Sequence, residues 1–216
     1  MQTTERFLLN EAIHNYSSPS LRFWLTLKNR TGQMPPEMFV RLLGGWQPES
    51  ILEMGTGYGI LANYLALRYR EANVLGVDLN PRRIQAAQAT VKGRTNIDFR
   101  CQDILTLEES AWDCLVMVDV LHHVGRRNQE PLVRKSWRLL KPGGRFLLRE
   151  IDAGLWLKAF NAYVFDALFY WEISHFLSIS TLRTMLEDAG YRNIEVYPDY
   201  PHSSVFPYVT YVACKD

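Results

Sequence analysis

The sequence has little cysteine and no long apolar run. Its 216 residues include only three cysteines, Cys101, Cys114 and Cys214, whose wide spacing predicts neither a disulfide framework nor a zinc site. No uninterrupted apolar segment approaches the about 18 residues that a membrane-spanning helix needs. The first residues also lack the basic start and apolar core of a signal peptide. These absences predict a soluble, cytoplasmic chain without stable membrane insertion.

The sequence has no excess of charge of either sign. Lysine and arginine number 24 and aspartate and glutamate 23, which gives a formal net charge of +1. This balance offers no electrostatic reason to expect a nucleic acid as partner. The hydrophobic content of 47% and the charged content of 22% are ordinary for a globular protein. We therefore expect a single folded domain over residues 1–216.

From Ser50 onward, short apolar runs alternate with longer helical patterns. This alternation predicts βαβ units and a parallel sheet. The predicted strands are Ser50–Met54, Asn73–Val77, Ile97–Gln102, Cys114–Val118, Arg145–Arg149, Asn193–Tyr197 and Tyr208–Cys214. The intervening helices are expected to begin near Gly59, Pro81, Gln129 and Thr181. Pro81 and Pro131 are expected in first helical turns, where proline is best tolerated, and Lys141–Gly144 as a turn.

Two regions fall outside this alternation. Residues 1–45 predict an N-terminal helical cap, and residues 153–176 form an insertion rich in aromatic side chains. A helix that is apolar over most of its circumference is buried, covers an apolar ligand or makes an oligomer contact. The insertion is therefore a lid over an acceptor, an ordinary core element or a homodimer interface, and the sequence leaves these alternatives open.

A glycine-rich loop follows the first predicted strand, in the segment Glu53-Met54-Gly55-Thr56-Gly57-Tyr58-Gly59. A strand, a glycine loop and a helix in succession expose backbone amides that suit a phosphate or a nucleoside. The dinucleotide fingerprint would place its third glycine one residue later, where Ile60 stands. This spacing disfavours a nicotinamide-dependent oxidoreductase, which is kept as an alternative.

An acidic residue followed by G-x-G-x-G resembles the first motif of the class I S-adenosylmethionine-dependent methyltransferases of the small-molecule type. The resemblance extends over roughly residues 50 to 150. It implies a three-layer α/β sandwich with a mostly parallel, seven-stranded Rossmann-like sheet whose last strand is antiparallel. It also implies S-adenosyl-L-methionine as cofactor, with acids after the second and third strands on the ribose and the adenine. The cofactor-binding residues it implies are Glu53, Gly55, Thr56, Gly57, Gly59, Asp78, Leu79, Asp103, Ile104 and Asp119.

Two adjacent histidines, His122 and His123, follow the fourth predicted strand. Methyl transfer from a sulfonium is an in-line displacement to which alignment contributes much. A base matters where the acceptor must lose a proton, and both histidines are candidate catalytic bases. Adjacent histidines generally point different ways, so at most one is expected to face the acceptor. The candidate substrate-binding residues are Glu150, Asp152, Tyr163, Trp171 and His175.

The remaining alternatives concern metals, nucleic acids and catalysis itself. No metal is expected, because adjacent histidines lack the i, i+4 spacing of a helical metal pair and no cysteine supports zinc. Amino-directed nucleic acid methyltransferases carry an Asn/Asp-Pro-Pro-aromatic motif where this chain has Asp119-Val120-Leu121-His122. The aromatic insertion favours a small apolar or aromatic acceptor. A non-catalytic nucleoside-binding or partner-binding protein with the same fold is the last alternative.

Overall fold

The computed structural model describes residues 2–14, 16, 38, 42–108, 111–156, 159–160, 162–164, 174–198 and 206–216. Its contacts group the chain into two compact units, Met1–Asp103 and Ile104–Asp216. The first unit contains α1 (Gln2–His14), β1 (Ser50–Met54), α2 (Ile60–Arg68), β2 (Asn73–Asp78), α3 (Pro81–Gln88) and β3 (Ile97–Cys101). The second contains β4 (Trp112–Val118), α4 (Arg126–Leu139), β5 (Leu140–Ile151), α5 (Ile179–Ala189), β6 (Arg192–Pro198) and β7 (Tyr208–Cys214).

The strands belong to a seven-stranded mixed sheet that is mostly parallel and flanked by helices. In the first unit the order is β3-β2-β1, with both pairs parallel. In the second unit the order is β4-β5-β7-β6, where β5 is parallel to β4, and β7 is antiparallel to β5 and β6. The expected fold, with its antiparallel last strand, is confirmed.

The local sequence explains where the helices α2 and α3 begin, after the strands β1 and β2. Gly59, in the left-handed region, precedes α2. Asn80 caps α3 by accepting from the amides of Arg82 and Arg83, and Pro81 occupies the first helical position as expected. These caps fix where the chain leaves β1 and β2, which sets the geometry of the candidate site.

Two local expectations were wrong. Pro131 lies inside α4 rather than in its first turn, because the helix begins at Arg126. The residues 141–144, expected as a turn, belong to β5. Leu140 pairs there with Trp112, and the Gly143 amide donates to the carbonyl of Lys215 across 2.6 Å. These longer-range pairings extend the strand through a segment whose composition favours a turn.

The two regions outside the alternation are described in part. Within residues 1–45, α1 packs on α2, and an apolar cluster surrounds Ile60 with the side chains of Leu9, Ile13, Tyr16 and Tyr58. Within residues 153–176, Ala159 and Ala162 pack against Ile151, Phe206 and Tyr208. Trp171 lies outside the described residues. The N-terminal cap, the lid and the single domain stay predictions. Among the helices that the structure describes, none is long and apolar enough to cross a membrane.

Candidate functional site

The predicted cofactor-binding residues from Glu53 to Asp103 lie in the first unit, and the other predicted site residues, which include Ile104 and Asp119, lie in the second. In the first unit, Glu53 at the end of β1 is buried and 1% exposed. Its Oε2 accepts from the Thr56 hydroxyl at 2.5 Å and from the Ala62 amide at 2.9 Å. Ala62 lies in the first turn of α2, whose amides lack partners within the helix. Glu53 therefore ties the glycine loop to the start of α2.

Three glycines give the loop its shape. Gly55, Gly57 and Gly59 all have φ in the left-handed region, at 75°, 57° and 78°, which favours glycine over residues with a side chain. At Gly59 a Cβ atom would lie 2.6 Å from the Phe99 ring. The loop is tight because the amides of Gly55 and the buried Thr56 both donate to the carbonyl of Val77, at 2.8 and 2.9 Å.

Asp78, at the end of β2, contacts the same loop. Its Oδ2 accepts from the Gly57 amide at 2.8 Å, and its Oδ1 accepts from the Asn80 amide at 2.8 Å. An ionised carboxylate has about four acceptor positions, so these bonds leave capacity for ligand hydroxyls. Leu79 beside it is 70% exposed and offers an apolar surface.

Asp103 and Ile104 follow β3. The register pairs Asp78 with Cys101, and the Gln102 amide donates to the Asp78 carbonyl at 3.2 Å. Asp103, half-buried, therefore lies just beyond the strand end that carries Asp78. Ile104 is buried in a short 3-10 turn that opens the second unit. The first unit thus collects three acids and three glycines at the carboxyl ends of three parallel strands, where ligands of α/β sheets bind.

In the second unit, His122 and Glu150 form a buried pair. His122 Nδ1 lies 2.5 Å from Glu150 Oε2, and the two side chains are 4% and 5% exposed. Glu150 Oε1 accepts from the amides of Val120 and Leu121 at 3.1 and 2.7 Å. These bonds fix the carboxylate, which favours a proton on His122 Nδ1 and places the lone pair of the neutral ring on Nε2. The neighbouring His123 is exposed.

Further contacts hold the segment that carries His122. The His175 amide donates to the His122 carbonyl at 2.7 Å. The Gln129 side chain donates to the carbonyls of Leu121 and His175, at 3.0 and 2.8 Å, and the Phe176 ring lies 4.9 Å from the His122 ring. Prediction from sequence missed Gln129. Its signal is a polar residue that shares the apolar stripe of α4 with buried Leu132 and Val133.

Three other predicted site residues of the second unit, Asp119, Asp152 and Tyr163, lie outside the His122–Glu150 pair. Asp119 has φ 55°, a left-handed value that is uncommon outside glycine but several-fold enriched at aspartate. The buried Asp152 accepts from the amides of Gly154 and Ile179 at 2.8 and 3.2 Å, and Ile179 is the first residue of α5. Tyr163 is 38% exposed. The roles given to all these residues from the sequence stay predictions.

Comparison with known proteins identifies sequence relatives. A family model described as a methyltransferase domain matches residues 23–196. The chain is 33% identical over 152 residues to the ubiquinone biosynthesis O-methyltransferase of Chromobacterium violaceum, an alignment covering 66% of this chain and 64% of that relative. The protein of the same name from Coxiella burnetii is 26% identical over 217 residues, which cover 91% of this chain and 88% of the relative.

Comparison with solved structures gives the same fold. Phosphoethanolamine N-methyltransferase 2 of Haemonchus contortus, solved in complex with phosphomonomethylethanolamine and S-adenosylhomocysteine, matches with a TM-score of 0.67. The match covers 83% of this chain and 51% of that one, at 17% sequence identity. At this identity the likeness shows the fold alone.

Proposed function

Because the chain belongs to the class I S-adenosylmethionine-dependent methyltransferases, we propose that it methylates a hydroxyl group of a small apolar or aromatic molecule. The observation that carries this proposal is the buried His122–Glu150 pair, with 2.5 Å between Nδ1 and Oε2. A hydroxyl acceptor loses a proton during methyl transfer, so a histidine oriented as a base is useful for this reaction. The sequence relatives named above are O-methyltransferases.

The residues of the first unit fit the cofactor. The buried Glu53 and the three left-handed glycines shape the loop, and Asp78 keeps acceptor capacity for the two ribose hydroxyls in charge-assisted hydrogen bonds. Asp103 would accept from the adenine amino group, and Leu79 would contact the adenine ring. S-adenosylmethionine supplies a methyl group already activated on a sulfonium sulfur.

Glu150 acts on the reaction through His122. Its carboxylate holds the proton on Nδ1, so that Nε2 accepts the proton from the acceptor hydroxyl. The negative charge then stabilises the imidazolium that forms, in the way a buried acid orients the histidine of a catalytic triad. The amides of Val120 and Leu121 keep the carboxylate from rotating away. In this proposal His122 is the base, Glu150 positions it, and the exposed His123 has no catalytic role.

The aromatic insertion supports an apolar acceptor. Trp156, Phe160, Tyr163 and Val164 are exposed large apolar side chains, and their spacing of i, i+4, i+7 and i+8 places them on one helical face. Ala159 and Ala162, between them, are buried. A contiguous exposed apolar face is typical of a binding surface. We propose that this face contacts the acceptor.

Calorimetry with S-adenosylmethionine, S-adenosylhomocysteine and NAD tests the cofactor. We expect both sulfur compounds to bind and NAD not to bind. Tight binding of NAD alone would instead support the oxidoreductase alternative. Mass spectrometry of reactions with a phenol, a catechol and phosphoethanolamine tests the acceptor, and methylation of a hydroxyl is expected. Methylation of the amine alone would contradict the hydroxyl acceptor, and product binding without turnover on any acceptor would favour a non-catalytic protein.

A further inference from the structure

Tyr16, just after α1, contacts the backbone of the glycine loop. Its hydroxyl donates to the Tyr58 carbonyl at 2.5 Å, although 42 residues separate the two along the chain. The Asn63 side-chain amide lies 3.4 Å from the same hydroxyl. Burial raises the pKa of Tyr16 above its ordinary value, so the hydroxyl stays protonated and able to donate at neutral pH.

Asn63 connects this contact to the last glycine of the loop. It is fully buried on α2, and its Nδ2 donates to the Gly59 carbonyl and to the Thr90 hydroxyl, both at 2.8 Å. Its Oδ1 accepts from the guanidinium of Arg94, which also donates to the Thr90 carbonyl at 2.9 Å. Since both ends of the amide are engaged, its orientation is fixed.

The apolar cluster around Ile60 joins α1 to the glycine loop by side-chain packing, in addition to the hydrogen bonds. Leu9 and Ile13 from α1 pack there with Tyr58 from the loop. The cluster fixes α1 against the beginning of α2, but it leaves the loop carbonyls to be held by polar groups. The side-chain hydrogen bonds of Tyr16 and Asn63 add to that restraint, beside the backbone bonds from the Gly59 amide to the Thr56 carbonyl and from the Asn63 amide to the Gly59 carbonyl, both at 2.9 Å.

We infer that Tyr16 is a positioning residue that holds the glycine loop, Gly55–Gly59, in its ligand-binding conformation and couples α1 to that loop. The inference rests on the proposed use of this loop for the cofactor. Removing the hydroxyl leaves the Tyr58 carbonyl without this donor and lets the loop sample other conformations. Because coupling between two elements is reciprocal, cofactor bound at the loop also stabilises α1 and Tyr16.

Tyr16→Phe, which keeps the ring and its packing, tests the inference by amide hydrogen exchange. We expect faster exchange over residues 55–60 in the variant than in the wild type. We also expect that S-adenosylmethionine slows exchange over residues 7–16 in the wild type, and that it does so much less in the variant. The Kd of the Tyr16→Phe variant for S-adenosylmethionine is expected to be about 3- to 10-fold higher than that of the wild type, the effect of losing one hydrogen bond. Tyr197→Phe, which removes a tyrosine hydroxyl bonded to Glu195 on β6, is the matched control and should leave the loop unchanged.

The possible outcomes separate this inference from the proposed function. If wild-type protein binds no S-adenosylmethionine, the cofactor proposal fails, while the exchange of residues 55–60 still tests the role of Tyr16. If the wild type binds S-adenosylmethionine and Tyr16→Phe shows the same loop exchange and the same Kd, the inference about Tyr16 is overturned while the proposed function stands. A lower melting temperature with unchanged loop exchange also overturns it, because that pattern marks a purely structural hydroxyl. Asn63→Ala is expected to accelerate exchange in the same loop residues.

Discussion

The backbone amide of Gly57 donates to the Asp78 carboxylate across 2.8 Å, which joins the glycine loop to the end of β2. One carboxylate therefore has two tasks in the proposed site: it shapes the loop and accepts the ribose hydroxyls. Asp103 is proposed as the partner of the adenine amine. This difference makes the two acids distinguishable by substitution.

We expect Asp78→Ala to weaken S-adenosylmethionine binding more than Asp103→Ala does. The Asp78 variant loses two charge-assisted hydrogen bonds to ribose and the loop contact, whereas the Asp103 variant loses one bond to the cofactor, each bond worth roughly 1.5–3 kcal/mol. Calorimetric titration measures both. Asp98→Ala, at an exposed acid on β3, serves as control and should bind normally. A larger loss in the Asp103 variant would contradict the assignment.

Gly57→Val should abolish cofactor binding while the chain remains folded. The φ of 57° disfavours a β-branched side chain by roughly 1–2 kcal/mol, and the added atoms fill the approach to the loop. Gly125→Val is the control, since Gly125 has an ordinary φ of −54° and open space around its Cα. Circular dichroism checks the fold and calorimetry the affinity. Normal binding by folded Gly57→Val would remove the loop from the cofactor site.

The sheet edge with its acids was predictable from the sequence because its signals are local. The glycine spacing after an apolar run locates the loop, and Asn80-Pro81 marks the start of α3. Glu53, Asp78 and Asp103 consequently fall at the expected strand ends. Periodicity and capping chemistry suffice for this part, since each strand of a parallel sheet ends at the same edge.

The His122–Glu150 pair was not predictable as a pair, although both residues were candidates. Their contact depends on the register of β4 on β5, in which Val118 lies opposite Arg149, and sequence patterns do not determine the register of two fully buried parallel strands. The bond between Tyr16 and Tyr58 likewise has no periodic signal. The start of α4 was missed because Gly125 offers no side chain to cap the helix.

Glu150→Gln should lower kcat without changing cofactor affinity. Glutamine can still accept from the Val120 and Leu121 amides, but it lacks the charge that stabilises protonated His122. General-base catalysis contributes about 10²- to 10⁴-fold, and we expect a loss of about 10²-fold in kcat. Acceptor kinetics and calorimetry measure the two quantities. His123→Ala is the control and should keep nearly full activity; a larger loss there than in Glu150→Gln would assign the base to His123.

The three cysteines should differ in reactivity toward iodoacetamide. Burial raises the pKa of the Cys114 thiol to about 12, and the thiolate is the reactive form. Cys114 therefore stays protonated and unmodified near neutral pH in the folded protein, and it gains thiolate only as the pH approaches 12. Cys101 is exposed and should be alkylated first. Peptide mass spectrometry measures both, and rapid labelling of Cys114 in the folded chain would contradict its burial.

Tyr163→Ala should raise the acceptor KM or lower kcat/KM with little change in cofactor affinity. Tyr163 is 38% exposed and lies on the apolar face of the insertion, so its loss removes a contact with the acceptor and little of the core. Phe7→Ala, at an exposed aromatic of α1, is the matched control and should leave acceptor kinetics unchanged.

Thermal melting, sedimentation and acceptor kinetics separate the three interpretations of the insertion. A buried core aromatic would cost roughly 3–5 kcal/mol of stability when truncated, so a large melting loss together with lost cofactor binding would contradict the lid. Dissociation of a wild-type dimer in the Tyr163 variant would instead assign the face to a second copy of the chain. An unchanged melting temperature with a raised acceptor KM is the result that we expect, because an exposed aromatic that contacts the acceptor contributes to binding and not to folding.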